Sequence, residues 1–411
     1  MIASQIMIIE RRRPRYPRRG PSCLMVLVFV LGAVLGMYVI GNAEEVRDAI
    51  IPTPTIEPTR TATEYATSAA LYERDGELEN AITAYETAIN LEPNKIEFYM
   101  PLIQLLTETE QPQAALEWSE KAVVLAADND RVWSAVASAH IANADRLAET
   151  SDPVSADLQY TEAINAAERA IELNPENAEA YAYMGTALSR LGLERIAEAQ
   201  ERAAWAVELA PESPVARRAL ANVFEQLGQY DNAINEYMIA LDFNPNSTDL
   251  RIDLAYLFFF TERRQEAILT LQEVTELDPS NADAFDGLGY FYFVLGQYPR
   301  AEESAYQAVM LDPEMTRAHA HLGAAYFKQF KYDSAIEELE LAIEAYGDVS
   351  QANSTYFNML GLAYYYQSRC DDAEPMFEKV LLSVEPDSIP EANALEGLEL
   401  CRQAQLGGTG Q

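Results

Sequence analysis

Residues Val215 to Pro245 read VARRALANVFEQLGQYDNAINEYMIALDFNP, and two helices joined by a tight turn account for every part of the stretch. Leu220, Ala221 and Phe224 fall three and four apart and form one apolar helical face. Gly228 ends that helix, because glycine tolerates the left-handed conformation of a C-terminal turn. Ala233, Tyr237 and Ala240 then form the face of a second helix, which Pro245 stops. Ala221, Ala233 and Ala240 are small where the two helices must approach closely, and Phe224 and Tyr237 fill the space beside them.

The pattern recurs along the chain. Pro211, Pro245, Pro279 and Pro313 stand 34 residues apart, as do Ala233, Ala267, Ala301 and Ala335, and Ala81 and Ala115 keep the same step. A 34-residue period of two helices and a turn resembles the tetratricopeptide repeat (TPR). Nine copies are legible. The first runs from Ala62 with Tyr65, Ala69, Gly76, Ala81, Tyr85 and Ala88 in register. The second, from Ile96, is weaker, with Ile103 in a small-residue slot and intruding prolines at Pro101 and Pro112. The third, from Asp130, carries about 14 extra residues near DRLAETSDPVSAD, and the fourth carries two. The fifth to seventh are regular, the eighth lacks the terminal proline, and the ninth starts at Ser354. A last helix, Pro390 to about Gln405, caps the stack. The resemblance implies an all-α, right-handed solenoid over residues 62–405, with 406–411 as a tail.

Upstream of the repeats lies a different chain. Six arginines fall between Arg11 and Arg19, followed by 20 uncharged residues, Ser22 to Gly41. A helix of that length covers roughly 30 Å, one hydrocarbon core. Basic residues on its N-terminal side put residues 1–21 in the cytoplasm and everything after 41 outside. The expectation is a single-pass plasma-membrane anchor at 22–41 and an extracytoplasmic body. Gly41-Asn42-Ala43 has small residues at cleavage-site spacing, but the apolar core is longer than that of a removable signal. Gly32 and Gly36 form a GxxxG pair through which two copies of the helix can dimerise. Pro52, Pro54 and Pro58 make residues 42–61 a stiff, solvated spacer.

The formal charge is −36; residues 1–41 contribute +5, leaving −41 for the rest. Such a field repels nucleic acid and anionic lipid. Cys23 precedes the apolar core and reads as a small apolar residue at the membrane edge. Cys370 opens the second helix of repeat nine and Cys401 lies late in the capping helix. In a stack of antiparallel helices these ends meet, and the outside location permits a Cys370–Cys401 disulfide.

No cofactor or enzyme chemistry is expected. Phosphate loops, HExxH and nucleophile elbows are missing from the sequence. His319 and His321 are two apart on a helix and point to different sides, so they are not a metal pair. Asp242 to Asp253 matches a calcium loop at Asp242, Asn244, Asn246 and Asp253, but Ser247 replaces the needed glycine and the last ligand is Asp. Asn246 and Asn353 open sequons. The remaining candidates come from the resemblance, in which the first helices line a concave face. The positions one and four after the small framework residue hold Asn222 and Glu225 in repeat five, Tyr256 and Phe259 in six, and Tyr290 and Phe293 in seven. Phe327 and Tyr365 continue the line, and Asp249, Asp253, Asp283 and Asp286 fall nearby. The expectation is an aromatic groove with an acidic rim, binding a protein or an extended peptide rich in basic and apolar residues. The same groove would serve a cell-wall or carbohydrate-binding module, with rings stacked on sugar faces.

Overall fold

The computed structural model describes residues 60–74, 76–109, 111–149 and 153–408, together with nine residues between Met25 and Met37. It falls into two units, Met1–Arg60 and Thr61–Gln411. In the first, the nine described residues are helical and exposed, Gly32 among them. Among the described residues no helix is long and apolar enough to cross a membrane. Most of the expected anchor, Gly36, Cys23 and nearly all of the spacer lie outside the described residues.

The second unit holds nineteen α-helices and one short 3-10 helix, with no strand among the described residues. Repeat one is α1 (Ala62–Arg74) and α2 (Leu78–Leu91); repeat two is α3 (Ile96–Glu108) and α4 (Pro112–Leu125). Repeat three is α5 (Asp130–Glu149) and α6 (Pro153–Leu173), where the extra residues lengthen both helices to 20 and 21 residues. Repeat four is α7 (Ala178–Arg190) and α8 (Ile196–Leu209), and its two extra residues form the 3-10 turn Leu193–Arg195. Repeats five to seven pair α9 (Pro214–Gln226) with α10 (Tyr230–Phe243), α11 (Thr248–Phe260) with α12 (Arg264–Leu277), and α13 (Ala282–Val294) with α14 (Tyr298–Leu311). Repeat eight is α15 (Thr316–Lys328) and α16 (Tyr332–Tyr346), and repeat nine is α17 (Ser354–Tyr366) and α18 (Cys370–Ser383). The cap, α19 (Ile389–Gly408), is longer than expected and packs on α17 and α18.

Local chemistry sets these boundaries. Asn177, Ser213, Ser247 and Asn281 cap the first helices of repeats four to seven, each accepting from the backbone N–H three residues on; the cap satisfies a donor the helix cannot. In repeats one and four to nine the first helix is followed by one left-handed residue, Gly228 (φ 69°) and Gly296 (φ 72°) among them. The following amide bonds back five residues, Gln229 N–H to the Phe224 carbonyl at 2.8 Å. Non-glycine residues take the same slot at Glu262, Phe330 and Ser368. Pro112 does not intrude: it occupies the first turn of α4, where its missing N–H costs nothing.

Between helices the framework alanines carry the close approach. Ala221, Ala233 and Ala240 are fully buried, with Tyr237 beside them at 1% exposure. In repeat two Ile103 fills the small-residue slot and is buried with Leu102, Leu105 and Leu106, so volume shifts within the layer. The cap is locked by Phe377, whose ring lies between Gly361 and Gly397; a Cβ on Gly397 would fall 2.3 Å from it. Cys370 and Cys401 are brought together here, but as two free thiols rather than the expected disulfide. They hydrogen-bond to each other, and burial together with Cys370 pushes the Cys401 thiol up to about 12.

Candidate functional site

From repeat two onward the first helices of neighbouring repeats pack on one another, except that α9 and α11 approach least closely. Their other sides form a continuous inner face. Position nine of α9, α11 and α13, one after the small residue, borders it, as does position twelve of α9 and α11, and its character changes halfway along.

In repeats one to five the face is charged. Tyr160 of α6 donates to Asp145 at 2.5 Å, and Arg190 lies 3.6 Å from the same carboxylate. Arg218 of α9 reaches across to α11, 2.6 Å from Asp253 and 3.8 Å from Asp249. Tyr237 of α10 stands behind α9 with its hydroxyl 2.6 Å from Asn222 Oδ1 and 2.5 Å from Glu225 Oε1. Burial raises the Glu225 carboxyl to about 7, offset in part by the Tyr237 hydrogen bond. Burial also raises Glu108 of α3, and the like charges of Asp249 and Glu73 add to the effect. Glu108 is open to solvent at its surface.

In repeats six to nine the face is aromatic. Phe259 of α11 stacks on Phe291 of α13, with centroids 4.0 Å apart and planes 3° apart. Tyr256 meets Phe291 edge-on at 5.2 Å and keeps 37% of its surface exposed. Tyr290 touches both Phe259 and Phe291 and passes the contact to His321 of α15 at 5.2 Å. His321 meets Tyr356 at 6.1 Å, and Tyr356 stacks on Tyr346. Offset and edge-on contacts of this kind add to the burial of the rings.

The sequence-predicted residues therefore divide. Tyr256, Phe259 and Tyr290 come together on the inner face, and Asn222 lines its polar stretch. Phe293, Phe327 and Tyr365 do not continue the line. Phe293 packs against Tyr298 of its own repeat, Phe327 against Tyr332 and Tyr366, and Tyr365 against Tyr366. These contacts lie near the turn between first and second helices. The expected acidic rim is corrected as well. Asp249 and Asp253 are paired with Arg218, while Asp283 and Asp286 are paired with Arg317 of α15. Asp286 is fully buried and also receives His321 Nδ1 at 2.6 Å. His319 faces Glu338 instead, so the two histidines diverge. Of the calcium-like loop, Ser247 is a helix cap and Asp253 an arginine partner; among the described residues no group of His, Cys, Asp or Glu could hold a metal ion.

Sequence reasoning missed Phe291, His321, Tyr346 and Tyr356. Framework spacing marks the inner positions within each repeat, whereas these rings reach it by contact between repeats. Arg218 and Arg317 were legible only as charges; their partners lie 31 to 35 residues away.

Family models of the tetratricopeptide repeat match residues 65–95, 166–201, 184–248, 252–310 and 314–381. No curated protein matches the sequence. Among solved structures, the APC/C hetero-tetramer Cut9–Hcn1 superposes with a TM-score of 0.50 at 15% identity, over 88% of this chain and 81% of that one. A thermophilic TPR protein of Thermus thermophilus aligns at 21% identity and TM-score 0.42, over 48% of this chain and all of that one. A tetratricopeptide repeat protein from Parabacteroides merdae aligns at 18% identity and TM-score 0.42, over 65% and 98%. Identities this low speak to the fold alone.

Proposed function

We propose that this chain, which belongs to the tetratricopeptide repeat family, is a membrane-anchored scaffold that holds a protein partner or an extended peptide on the inner face of its solenoid. The observation that carries the reading is the run of rings from Tyr256 to Tyr356, continuous across four repeats and open to solvent at Tyr256. A folded chain gains little by leaving such rings half-covered, whereas a binding surface needs them. The charged stretch beside the rings gives the surface a polar end, which favours a partner of mixed basic and apolar character.

The anchoring half of the reading rests on sequence: 20 uncharged residues behind a basic run, which would leave the solenoid on the extracytoplasmic side. Its test is alkaline extraction of membranes together with protease accessibility of the solenoid from outside. Release by alkali, or protection from external protease in sealed cells, would overturn it.

The test of the groove is crosslinking capture by the full-length protein and by its Phe259→Ala/Tyr290→Ala variant. Loss of the captured partner at an unchanged helical signal is the expected result. Equal capture by both would sink the assignment, and capture of glycan in place of protein would move the same surface to the carbohydrate class.

A further inference from the structure

Where α9 and α11 stand apart, the inner face opens into a cavity of about 140 Å³ at the junction of its charged and aromatic stretches. Asn222 and Glu225 of α9, Asp253 and Tyr256 of α11, Tyr237 of α10 and Arg190 of α7 line it. Tyr256 is shared with the ring floor through its contact with Phe291.

The hydrogen bonding of the cavity is incomplete. Tyr237 keeps its proton, because burial and the charges of Asp253 and Glu225 raise its hydroxyl well above the ordinary value. That single proton faces two acceptors, Asn222 Oδ1 at 2.6 Å and Glu225 Oε1 at 2.5 Å. Turning the Asn222 amide would give Tyr237 one donor and one acceptor, and would still leave Glu225 with one hydrogen bond. A carboxylate takes up to four.

Nor does Glu225 have a cation of its own among the described residues. The nearby arginines are engaged: Arg190 with Asp145, and Arg218 with Asp249 and Asp253. Around the cavity Asp145, Glu225, Asp249 and Asp253 outnumber Arg190 and Arg218 by two. An acidic group entering here meets a surplus of its own charge, whereas a cation finds an unpaired carboxylate and unfilled acceptors.

We propose that the cavity takes a lysine or arginine side chain of an extended partner segment, whose neighbouring apolar side chains lie on the rings of repeats six to eight. The inference rests on the scaffold reading of the groove and names the partner chemistry it selects. Packed helices stand roughly 8–10 Å apart and an extended chain advances roughly 3.3 Å per residue. The basic residue and the first apolar anchor are therefore about three residues apart.

Glu225 makes the selection pH-dependent. Its carboxyl titrates at about 7, among Tyr237 from α10, Arg190 from α7, Asp253 from α11 and Arg218 on its own helix. A protonated Glu225 offers a cation a hydrogen-bond acceptor but no charge, so preference for a basic residue rises as pH climbs through that value.

The test titrates the full-length protein with synthetic extended peptides carrying lysine or norleucine at one position, and phenylalanine or alanine three residues along. Lysine should win over norleucine by about tenfold or more at about pH 8.5, the size expected of a charged hydrogen bond, and by under about threefold at about pH 5.5. Glu225→Gln should bring the lysine preference under about threefold at both pH values and leave the phenylalanine preference in place. Phe259→Ala/Tyr290→Ala should do the reverse. A phenylalanine preference without a lysine preference overturns the inference and leaves the scaffold standing, as does a lysine preference that Glu225→Gln does not change. No phenylalanine preference in the wild type overturns the scaffold reading itself.

Discussion

Arg218 reaches forward from repeat five to Asp249 and Asp253 of repeat six, whereas Arg317 reaches back from repeat eight to Asp283 and Asp286 of repeat seven. Both pairs tie neighbouring first helices across the inner face. The first stays wet, with 41% of the Arg218 side chain and 26% of Asp253 exposed. The second is sealed at its centre, because Asp286 has no exposure and also holds His321. Water sets the strength of an ion pair more than geometry does. The forward clamp is therefore a polar lining that a partner can reach, and the backward clamp is a pin beneath the rings. Arg317 and His321 tie the aromatic stretch together through a carboxylate closed to water, whereas the charged stretch keeps its arginine in reach of solvent.

The largest expected effect tests that difference directly. Asp286→Ala removes the buried carboxylate that holds both Arg317 and His321, leaving Arg317 with Asp283 alone, and should cost about 1.5–3 kcal/mol, while Arg218→Ala should cost under about 1 kcal/mol. Urea melts give the totals, and hydrogen exchange should show faster opening of α13 and α15 in the first variant only. Equal losses from the two variants would break the comparison.

A smaller effect comes from Glu225, in the wet half. Its carboxyl titrates at about 7 when folded, above the ordinary 4.5. Between those values the folded state holds more protons than the unfolded chain, so stability falls as pH rises through the window and stays low above it. Glu225→Gln removes the charge and should raise stability at about pH 8 by about 1–3 kcal/mol, with little change at about pH 4. Thermal melts across pH would show this, and a variant that is no more stable at high pH would refute the desolvated carboxylate.

The smallest effect lies on the aromatic side. Phe330 occupies the left-handed slot that glycine fills at Gly228 and Gly296, and 77% of it is exposed. Phe330→Gly should relieve backbone strain and stabilise the array by about 0.5–1 kcal/mol. A clear loss of stability in melts would mean that its edge-on contact with Tyr332 outweighs the strain.

The regular parts of this molecule were open to sequence reading because they are local. Helix, turn and cap are set within one 34-residue unit by residues such as Ala233, Gly228 and Ser247, whose size and backbone preferences act on their immediate neighbours. Repeat boundaries, the small-residue layer and the capping helix follow from that period. Three groove residues, Tyr256, Phe259 and Tyr290, were placed by the same logic, because each sits where its own helix turns inward.

Tertiary structure alone decided how the repeats meet. Phe293, Phe327 and Tyr365 had the expected spacing, but their ring partners are Tyr298, Tyr332 and Tyr366, outside the run from Tyr256 to Tyr356. The acidic rim looked unpaired because its arginines belong to neighbouring repeats. Cys370 and Cys401 were matched by topology, while the structure holds them as thiols. The physical reason is one of range. Propensity and periodicity act over a few residues, whereas ion pairs, ring stacks and the opening between α9 and α11 depend on how one repeat is set against the next, and that depends on side-chain volumes summed over a whole layer.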